Sequence, residues 1–412
     1  MNVVVRHQSA PSEGNAASSP RAGAVVSVRI FEQLTAAEPF WRRLEAGHPL
    51  ASAYQRFDFL AAWQHHVGTQ AGVTPFIVVG FDPSGDPAFF WPFGRTRVGP
   101  IEVAQFLGSK HANFNLGLWR RDLAEAITAR ELREILDRVA RSEPRADLLA
   151  LFSQPFAWNG IANPFALLPY QSSVDHSMRL AIDRPGEETI KKILSAATRS
   201  RLRGKQRKLE ALPGFRYFRA DRSADIDRLL DAFLAAKSVH MAQQGLTNVF
   251  AVPGVAEFMR SACHCRLPDG RHVIDIHALE ADGEMLAMFA VAADEYRCSS
   301  MFNTYTLGEH SRHSPGLILL RHIVVDSADR GLRAFDLGVG KADYKSIFCD
   351  EVEPLFDSFI GLTALGKLAA PALSAATSAK RLIKEKPSLW AAVQTLRRLR
   401  ARRRNIDSQA AT

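Results

Sequence analysis

The sequence predicts a mixed α/β fold that is made twice. Three observations carry this reading. Strand signals alternate with amphipathic helices from Val25 to Leu362. The order of those signals repeats, each half reading strand, helices, antiparallel hairpin, helix, strand. The two halves also end alike: a helix closing on Ala140-Arg141 leads to Asp147–Phe152, and a helix closing on Ala328-Asp329-Arg330 leads to Leu332–Leu337. The period, near 180 residues, is too long for a solenoid and points to a duplicated domain.

In the first half, Val25–Ile30 alternates and is rich in β-branched residues, a strand signal. Helices follow around Phe40, Trp41 and Leu44 and over Phe57–Val67. Phe76–Phe81 and Ala88–Phe93 read as a hairpin about the turn Asp82-Pro83-Ser84-Gly85-Asp86. A loop over Gly108–Asn115 leads to one long helix, Leu123–Ala140, and then to the buried strand Asp147–Phe152. In the second half, Met178–Ile182 is a strand, Glu188–Leu209 a basic helix and Phe215–Arg219 a strand. Helices over Ile226–His240 and Val255–Ala262 precede a hairpin about Asp282-Gly283. Tyr296–Tyr305, a helix from Pro315 to Asp329, and strands at Ala334–Leu337 and Val352–Ile360 complete it. The expected organisation is a disordered segment over 1–24, domains over 25–170 and 171–362, and a helical basic tail over 363–412.

Charge and cysteine content narrow the function. The chain has 412 residues and a net charge of +9, and the stretch Lys380–Arg404 alone holds ten Lys or Arg against Glu385. The body is therefore close to neutral, which argues against a nucleic-acid binder with a basic folded face. With Trp390, Val393 and Leu396 as an apolar edge, the tail reads either as a contact with an anionic membrane surface or as a solubilising extension. Four cysteines form no disulfide framework, and Cys263-His264-Cys265 lacks a second ligand pair, so neither disulfides nor metal are expected. The run Val3-Val4-Val5 is too short for a secretion signal, and no stretch reaches the ~20 apolar residues of a membrane span. A cytoplasmic setting is the expectation.

The informative motif is Ser314-Pro315-Gly316-Leu317-Ile318. Pro suits the first helical position, Ser314 is placed as the N-cap, and Gly316 lets a ligand approach the backbone. The amides of Gly316, Leu317 and Ile318 at such a start suit an anion such as a pyrophosphate; a plain capped helix is the alternative. Gly338-Val339-Gly340-Lys341 resembles a phosphate loop or dinucleotide fingerprint only superficially. Phe335 stands where the phosphate loop needs Gly, and Asp343 where the fingerprint does.

Together, Ser314, Pro315, Gly316, Gly331, Phe335, Asp336, Leu337, Gly340, Tyr344, Lys345 and Phe348 resemble the pattern of the BcsL/CelD-type acetyltransferases associated with polysaccharide biosynthesis. The basic helix Arg199–Lys208 sits where that family places one. The resemblance implies two tandem GNAT-like domains, kinship with FemAB-type transferases, and acetyl-CoA or another acyl-CoA as co-substrate. It also implies direct attack of an amine or hydroxyl on the thioester, with a base, an acid and oxyanion donors. Asp336, on a strand, is the first candidate for handling the proton or orienting substrate, or else it caps the next turn. Tyr344 is the candidate acid for the thiolate, and Lys345 a point charge for an anion. Arg199, Arg203 and Arg207 form one stripe suited to phosphate or an anionic glycan. His277, two residues from Asp275 on the same strand face, is a further substrate-binding candidate. The first half lacks these motifs and is expected to shape the acceptor site without binding CoA.

The function that follows is N- or O-acyl transfer to a sugar or amino-sugar in polysaccharide or envelope synthesis. The alternatives are an aminoacyl-tRNA-dependent transferase and a non-catalytic accessory protein of a membrane polysaccharide synthase.

Overall fold

A computed structural model of the chain describes residues 25–386, apart from 244 and 341–343. The segment read as disordered, and Trp390, Val393 and Leu396, lie outside the described residues. The first half runs β1 (Ser27–Phe31), α1 (Leu34–Ala46), α2 (Phe57–Trp63), β2 (Thr74–Phe81), β3 (Pro87–Val98), β4 (Ile101–Phe106), β5 (Leu118–Trp119), α3 (Arg121–Ala126), α4 (Ala129–Arg141) and β6 (Leu148–Pro155). A small ribbon, β7 (Ala157–Trp158) and β8 (Ile161–Ala162), links it to the second half. That half runs β9 (Gln171–Ala181), α5 (Gly186–Ile193), α6 (Ala196–Glu210), β10 (Arg216–Arg219), α7 (Ser223–Gln243), α8 (Val255–His264), β11 (Asp275–Ala281), β12 (Glu284–Ala293), β13 (Arg297–Tyr305), α9 (Pro315–Asp329), β14 (Ala334–Val339), α10 (Lys345–Phe348), β15 (Glu351–Gly361) and α11 (Ala364–Glu385).

Local chemistry sets several boundaries. Asp282 and Gly283 both take positive φ, 53° and 74°, the twist a two-residue hairpin turn needs between β11 and β12. Two helices expected as single runs are each broken. The 123–140 helix restarts at Thr128, whose side chain and Glu131 form a reciprocal capping box. The 188–209 helix restarts at Ser195, whose hydroxyl accepts from the Thr198 amide. Strand β4, which the sequence reading passed over, pairs along β3 from Phe93↔Phe106 to Val98↔Ile101.

The strands form one mixed sheet in the order β1-β2-β3-β4-β6-β15-β9-β14-β13-β12-β11-β10, with β5 pairing β3 at the side. The order within the halves is the same: β1-β2-β3-β4-β6 matches β10-β11-β12-β13-β14. In each run the last pair is parallel and the others antiparallel. The fold is a tandem of GNAT-like domains.

The halves join edge to edge. β15, from the end of the second half, lies against β6 of the first, and β9 lies between β15 and β14. The expected division at residue 170 therefore falls within a continuous sheet. Aromatic residues dominate the first-half core, where Trp91, Trp119 and Phe165 are fully buried and in mutual contact. α9 fills the second, burying Ile318, Leu319, Leu320, Ile323 and Val324 against the sheet.

Phe356 sits at this junction, fully buried on β15 against Phe156 and Tyr170. Phe356→Ala should cost about 3–5 kcal/mol, as large-to-small aromatic core changes do. Because β15 joins both halves, urea unfolding followed by tryptophan fluorescence and by circular dichroism should remain one coincident transition. Two separated transitions would mean the halves fold independently.

Candidate active site

The site begins where β13 and β14 part. Their parallel ladder holds Arg297↔Ala334, Cys298↔Phe335 and Ser299↔Asp336, and then stops. Beyond Ser299, β13 continues to Tyr305 with no strand on that side. The result is a notch whose apex is Ser299 and Asp336.

Asp336 is fully buried. Its Oδ2 accepts from the Ser299 hydroxyl at 2.5 Å and its Oδ1 from the Gly338 amide at 2.8 Å. Burial raises its pKa from 3.8 to about 6, opposed by the nearby Arg297 guanidinium and by these two hydrogen bonds. Arg297 lies 3.8 Å from Asp336 and holds Glu353 with both terminal nitrogens, at 2.7 and 2.9 Å. Its guanidinium stacks on Trp158 at 4.0 Å and faces Phe114 at 5.1 Å.

The first half reaches this apex. Asn113 Nδ2 donates to the Tyr54 hydroxyl and to the Ser300 carbonyl, both at 2.8 Å. Gly338 closes the other side with φ +72°; a Cβ there would meet the Ser300 carbonyl at 2.9 Å, so glycine is needed for both reasons.

At the far end of the notch stands the start of α9. Tyr305 packs beside Gly316, whose absent Cβ would meet only the Tyr305 side chain, at 3.7 Å or more. Ser314 occupies the N-cap position with left-handed backbone (φ 55°), but no first-turn amide donates to its side chain. Instead its hydroxyl receives Lys205 Nζ at 2.7 Å. The amides of Leu317 and Ile318, expected to face a ligand, already donate to the Ser314 carbonyl at 3.0 and 3.2 Å. This leaves the Gly316 amide as the first-turn donor with no acceptor among the described residues. No acid sits in the first turn. Burial, then Arg312, Lys208, His310 and Lys205, lower the pKa of His313. The helix start is thus ringed by positive charge, and the helix dipole adds to it.

The remaining candidates fall in different places. The Tyr344 hydroxyl lies 3.4 Å from Asn303 Nδ2 on the free part of β13, and burial raises its pKa. Lys345 is buried, and Nζ donates to the carbonyls of Gly338, Val339 and Gly340 at 3.0, 3.2 and 2.9 Å. These bonds use all three donors of the ammonium, so it secures the strand exit and has none spare for a substrate anion. Arg199 turns back to the carbonyls of Lys191 and Leu194, closing the end of α5. Arg203 is exposed on α6. His277 lies two strands away on β11, with Nδ1 2.9 Å from the Tyr217 hydroxyl, while Asp275 is engaged by His272. Burial lowers the pKa of His277 to about 4, so it stands neutral in the core.

The corresponding notch of the first half differs. Its parallel pair is Val103↔Leu148 and Ala104↔Leu149. The helix that follows, α4, starts at the Thr128–Glu131 capping box, with an acid where α9 has none. Asn115 lies across the notch, its amide on the Ser153 carbonyl and its Nδ2 on the Phe152 carbonyl. What remains is a polar cavity of about 600 Å³. Asn113, Asn115, Ser173, Asp175, Asp357 and Lys110 are among its lining residues, and it reaches Val339 at the exit of β14. Asn113 therefore stands both in this cavity and at the second-half apex.

Residues 196–346 match the family model described as an acetyltransferase (GNAT) domain. No curated protein is detectably similar in sequence. Among solved structures, that of FemX is similar at 10% identity and a TM-score of 0.56, over 83% of this chain and 99% of that one. A conserved protein of unknown function from Bacteroides thetaiotaomicron is similar at 10% identity and a TM-score of 0.50, over 81% and 100%. The C-terminal domain of a putative lysylphosphatidylglycerol synthetase from Agrobacterium fabrum aligns at 12% identity and 0.49, over 83% and 96%. The fold and the domain match mark an acyltransferase. Among the described residues no group of three or more His, Cys, Asp or Glu is placed to hold a metal, and no helix is long and apolar enough to cross a membrane.

Two predictions follow from the apex. Folded Asp336 keeps its proton to about pH 6, whereas the ordinary carboxyl value is 3.8. The folded state thus binds the extra proton between those values, and its stability contribution, full below about pH 4, is lost as pH rises through 6. Urea unfolding at several pH values should show wild type losing stability relative to Asp336→Asn over that window; a constant difference would contradict the burial of an ionisable carboxyl. Gly338→Ala should destabilise by roughly 1–3 kcal/mol, the range for a strained backbone residue, read from the same urea curves.

Proposed function

We propose that the chain transfers an acyl group, acetyl in the first instance, from acyl-CoA to an amine or hydroxyl of a sugar or amino-sugar acceptor used in polysaccharide or envelope synthesis. One observation carries the reading: a parallel strand pair that parts at Ser299–Asp336 and opens toward an uncapped, acid-free helix start ringed by Lys205, Lys208 and Arg312. An extended pantetheine arm suits the free edge of β13, and the diphosphate suits the Gly316 amide and the surrounding cations.

The chemistry is a single displacement. The acceptor nitrogen or oxygen attacks the thioester carbon, the C–S bond breaks, and the acceptor's proton passes to solvent, from which the acid that protonates the sulfur is restored. Tyr344, held by Asn303 beside the free strand, is placed to protonate the leaving sulfur. Asp336 has no exposed surface, so it acts through Ser299 and Gly338 as a positioning residue for the apex.

The acceptor seat that fits best is the 600 Å³ cavity in the first-half notch. Its carboxylates, amides and hydroxyls beside Phe106 and Phe152 are a set suited to a polyol carrying an amine. Sugar specificity and membrane or envelope context rest on the motif resemblance and on this lining. A second reading has one supporting observation. Arg201, Arg203, Arg207 and Lys208 are exposed along α6, a longer run of cations than one diphosphate needs, and it suits a polyanionic donor such as an aminoacyl-tRNA.

Isothermal titration with acetyl-CoA should give micromolar binding, and thiol release should depend on an added amino-sugar such as glucosamine. Gly316→Glu should weaken acetyl-CoA binding tenfold or more by adding bulk and negative charge where one charge-assisted bond is worth ~1.5–3 kcal/mol. Asp336→Asn should lower turnover by roughly tenfold or more, as misplaced reacting groups do, with CoA affinity little changed. Binding of charged tRNA without acetyl-CoA would favour the second reading. Acetyl-CoA binding untouched by Gly316→Glu would move the donor site away from α9.

A further inference from the structure

A second cavity lies at the opposite end of β13, between the halves and behind the Arg297 stack. It encloses about 490 Å³. Leu118, Leu267, Pro268, Trp158 and Tyr296 give it apolar walls, and Arg56 sits among them.

The wall carries five acids, Glu45, Asp58, Asp269, Asp294 and Glu295, against Arg42, Arg56 and Arg121, so what matters is which of them are already paired. Each acid is already engaged. Asp58 holds Arg42 through both oxygens, and Glu45 accepts the Phe57 amide and pairs with Arg42. Asp269 holds Arg271. Asp294 accepts from Trp158 Nε1 and from the amides of Tyr296 and Arg297. Glu295 holds His48. Arg56 is the exception: its Nη1 is buried without an acceptor, and the guanidinium makes no hydrogen bond or ion pair among the described residues. Arg121, partly exposed on the same wall, donates only to the His48 carbonyl.

An arginine in this position is poorly served. Burial first, and Arg271 next, lower its pKa; Asp294, Asp269 and Glu45 act the other way only at a distance. A buried charge is held at a penalty unless it is paired and hydrogen-bonded. Folding has placed a fork of donors at the wall of a half-apolar cavity and spent every neighbouring carboxylate elsewhere. A planar carboxylate is the anion that answers a guanidinium through two parallel bonds. The surrounding Trp, Tyr and Leu side chains call for an apolar body on it.

We propose that this cavity is a binding site for a small carboxylate with an apolar or aromatic body, with Arg56 as its anion partner. It is separate from the notch and independent of what the notch transfers. Its ligand would lie against Trp158, the ring on which Arg297 also stacks.

Sodium benzoate is the probe, titrated calorimetrically into the full-length protein beside benzamide, its neutral counterpart, and inorganic phosphate. Wild type should bind benzoate at least tenfold more tightly than benzamide and more tightly than phosphate. Arg56→Gln should lose benzoate affinity at least tenfold and leave benzamide unchanged. Because the guanidinium has no protein partner, Arg56→Gln should also keep or raise the melting temperature without ligand. Benzoate binding that survives Arg56→Gln, phosphate binding as tight as benzoate, no benzoate binding at all, or a melting temperature lowered by the substitution would each overturn the assignment.

Discussion

The buried charge of Arg297 is the constraint from which the rest of the site follows. It stands at the first residue of β13, 1% exposed, in a strand with no other charged side chain. A guanidinium taken out of water must be matched, and breaking one partner of such a pair costs about 3–5 kcal/mol. Its match is Glu353 on β15, and its walls are Trp158 and Phe114 from the first half. Satisfying this one side chain therefore ties together β13, the junction strand β15, and the linker ribbon. Asp336 is then left beside an arginine already committed to another carboxylate. Burial raises its pKa above the ordinary range, and the arginine opposes that rise without cancelling it.

The duplication explains why one notch and not the other suits a phosphate-bearing donor. Both halves build the same strand order and the same parallel parting. They differ in what stands at the following helix. Thr128 and Glu131 satisfy each other at α4, which closes that terminus and puts a negative charge on it. At α9 proline removes one donor, Ser314 turns its hydroxyl to Lys205, and the dipole is left facing a group of cations. The same backbone architecture thus gives a capped helix start beside a cavity on one side and an uncapped helix start among cations on the other.

The parts of this design that were legible in the sequence are the local ones. Helix α9 begins and ends where Pro315 and Asp329 predicted, because its cap position, its proline and its apolar run are contiguous. The repeat of element order was legible for the same reason. Tyr54, Asn113, Ser299, Arg297 and Glu353 were missed as site residues because each gains its role from a partner far along the chain; Asn113 and Ser300 are 187 positions apart. Arg297 did leave a signal, the lone charge of its strand. Lys345 and Arg199 were read by charge type alone. The structure gives their donors to carbonyls of the main chain, a use that no residue pattern distinguishes from ligand binding. The pairing of β15 with β6 was not legible either, since no residue pattern in β15 says which strand lies on its far side.

The notch itself poses a backbone question: why the β13–β14 ladder does not simply continue. Unpaired main-chain groups in a buried setting are costly, so the next rungs should close unless those groups are satisfied otherwise. They are. Asn113 takes the Ser300 carbonyl, and Asp336 takes the Gly338 amide. Lys345 takes the carbonyls of Gly338, Val339 and Gly340, and the Gly340 amide goes to His176 on the far side. Gly338, at positive φ, turns the chain away from β13. Side chains from both halves thus replace the first missing rungs at the apex, and among the described residues the edge of β13 beyond Ser300 stays free. The notch is held open by satisfied hydrogen bonds instead of by strain, and its width depends on the first half through Asn113. The first half, whose own helix start is closed by Thr128 and Glu131, in this way forms part of the second half's apex.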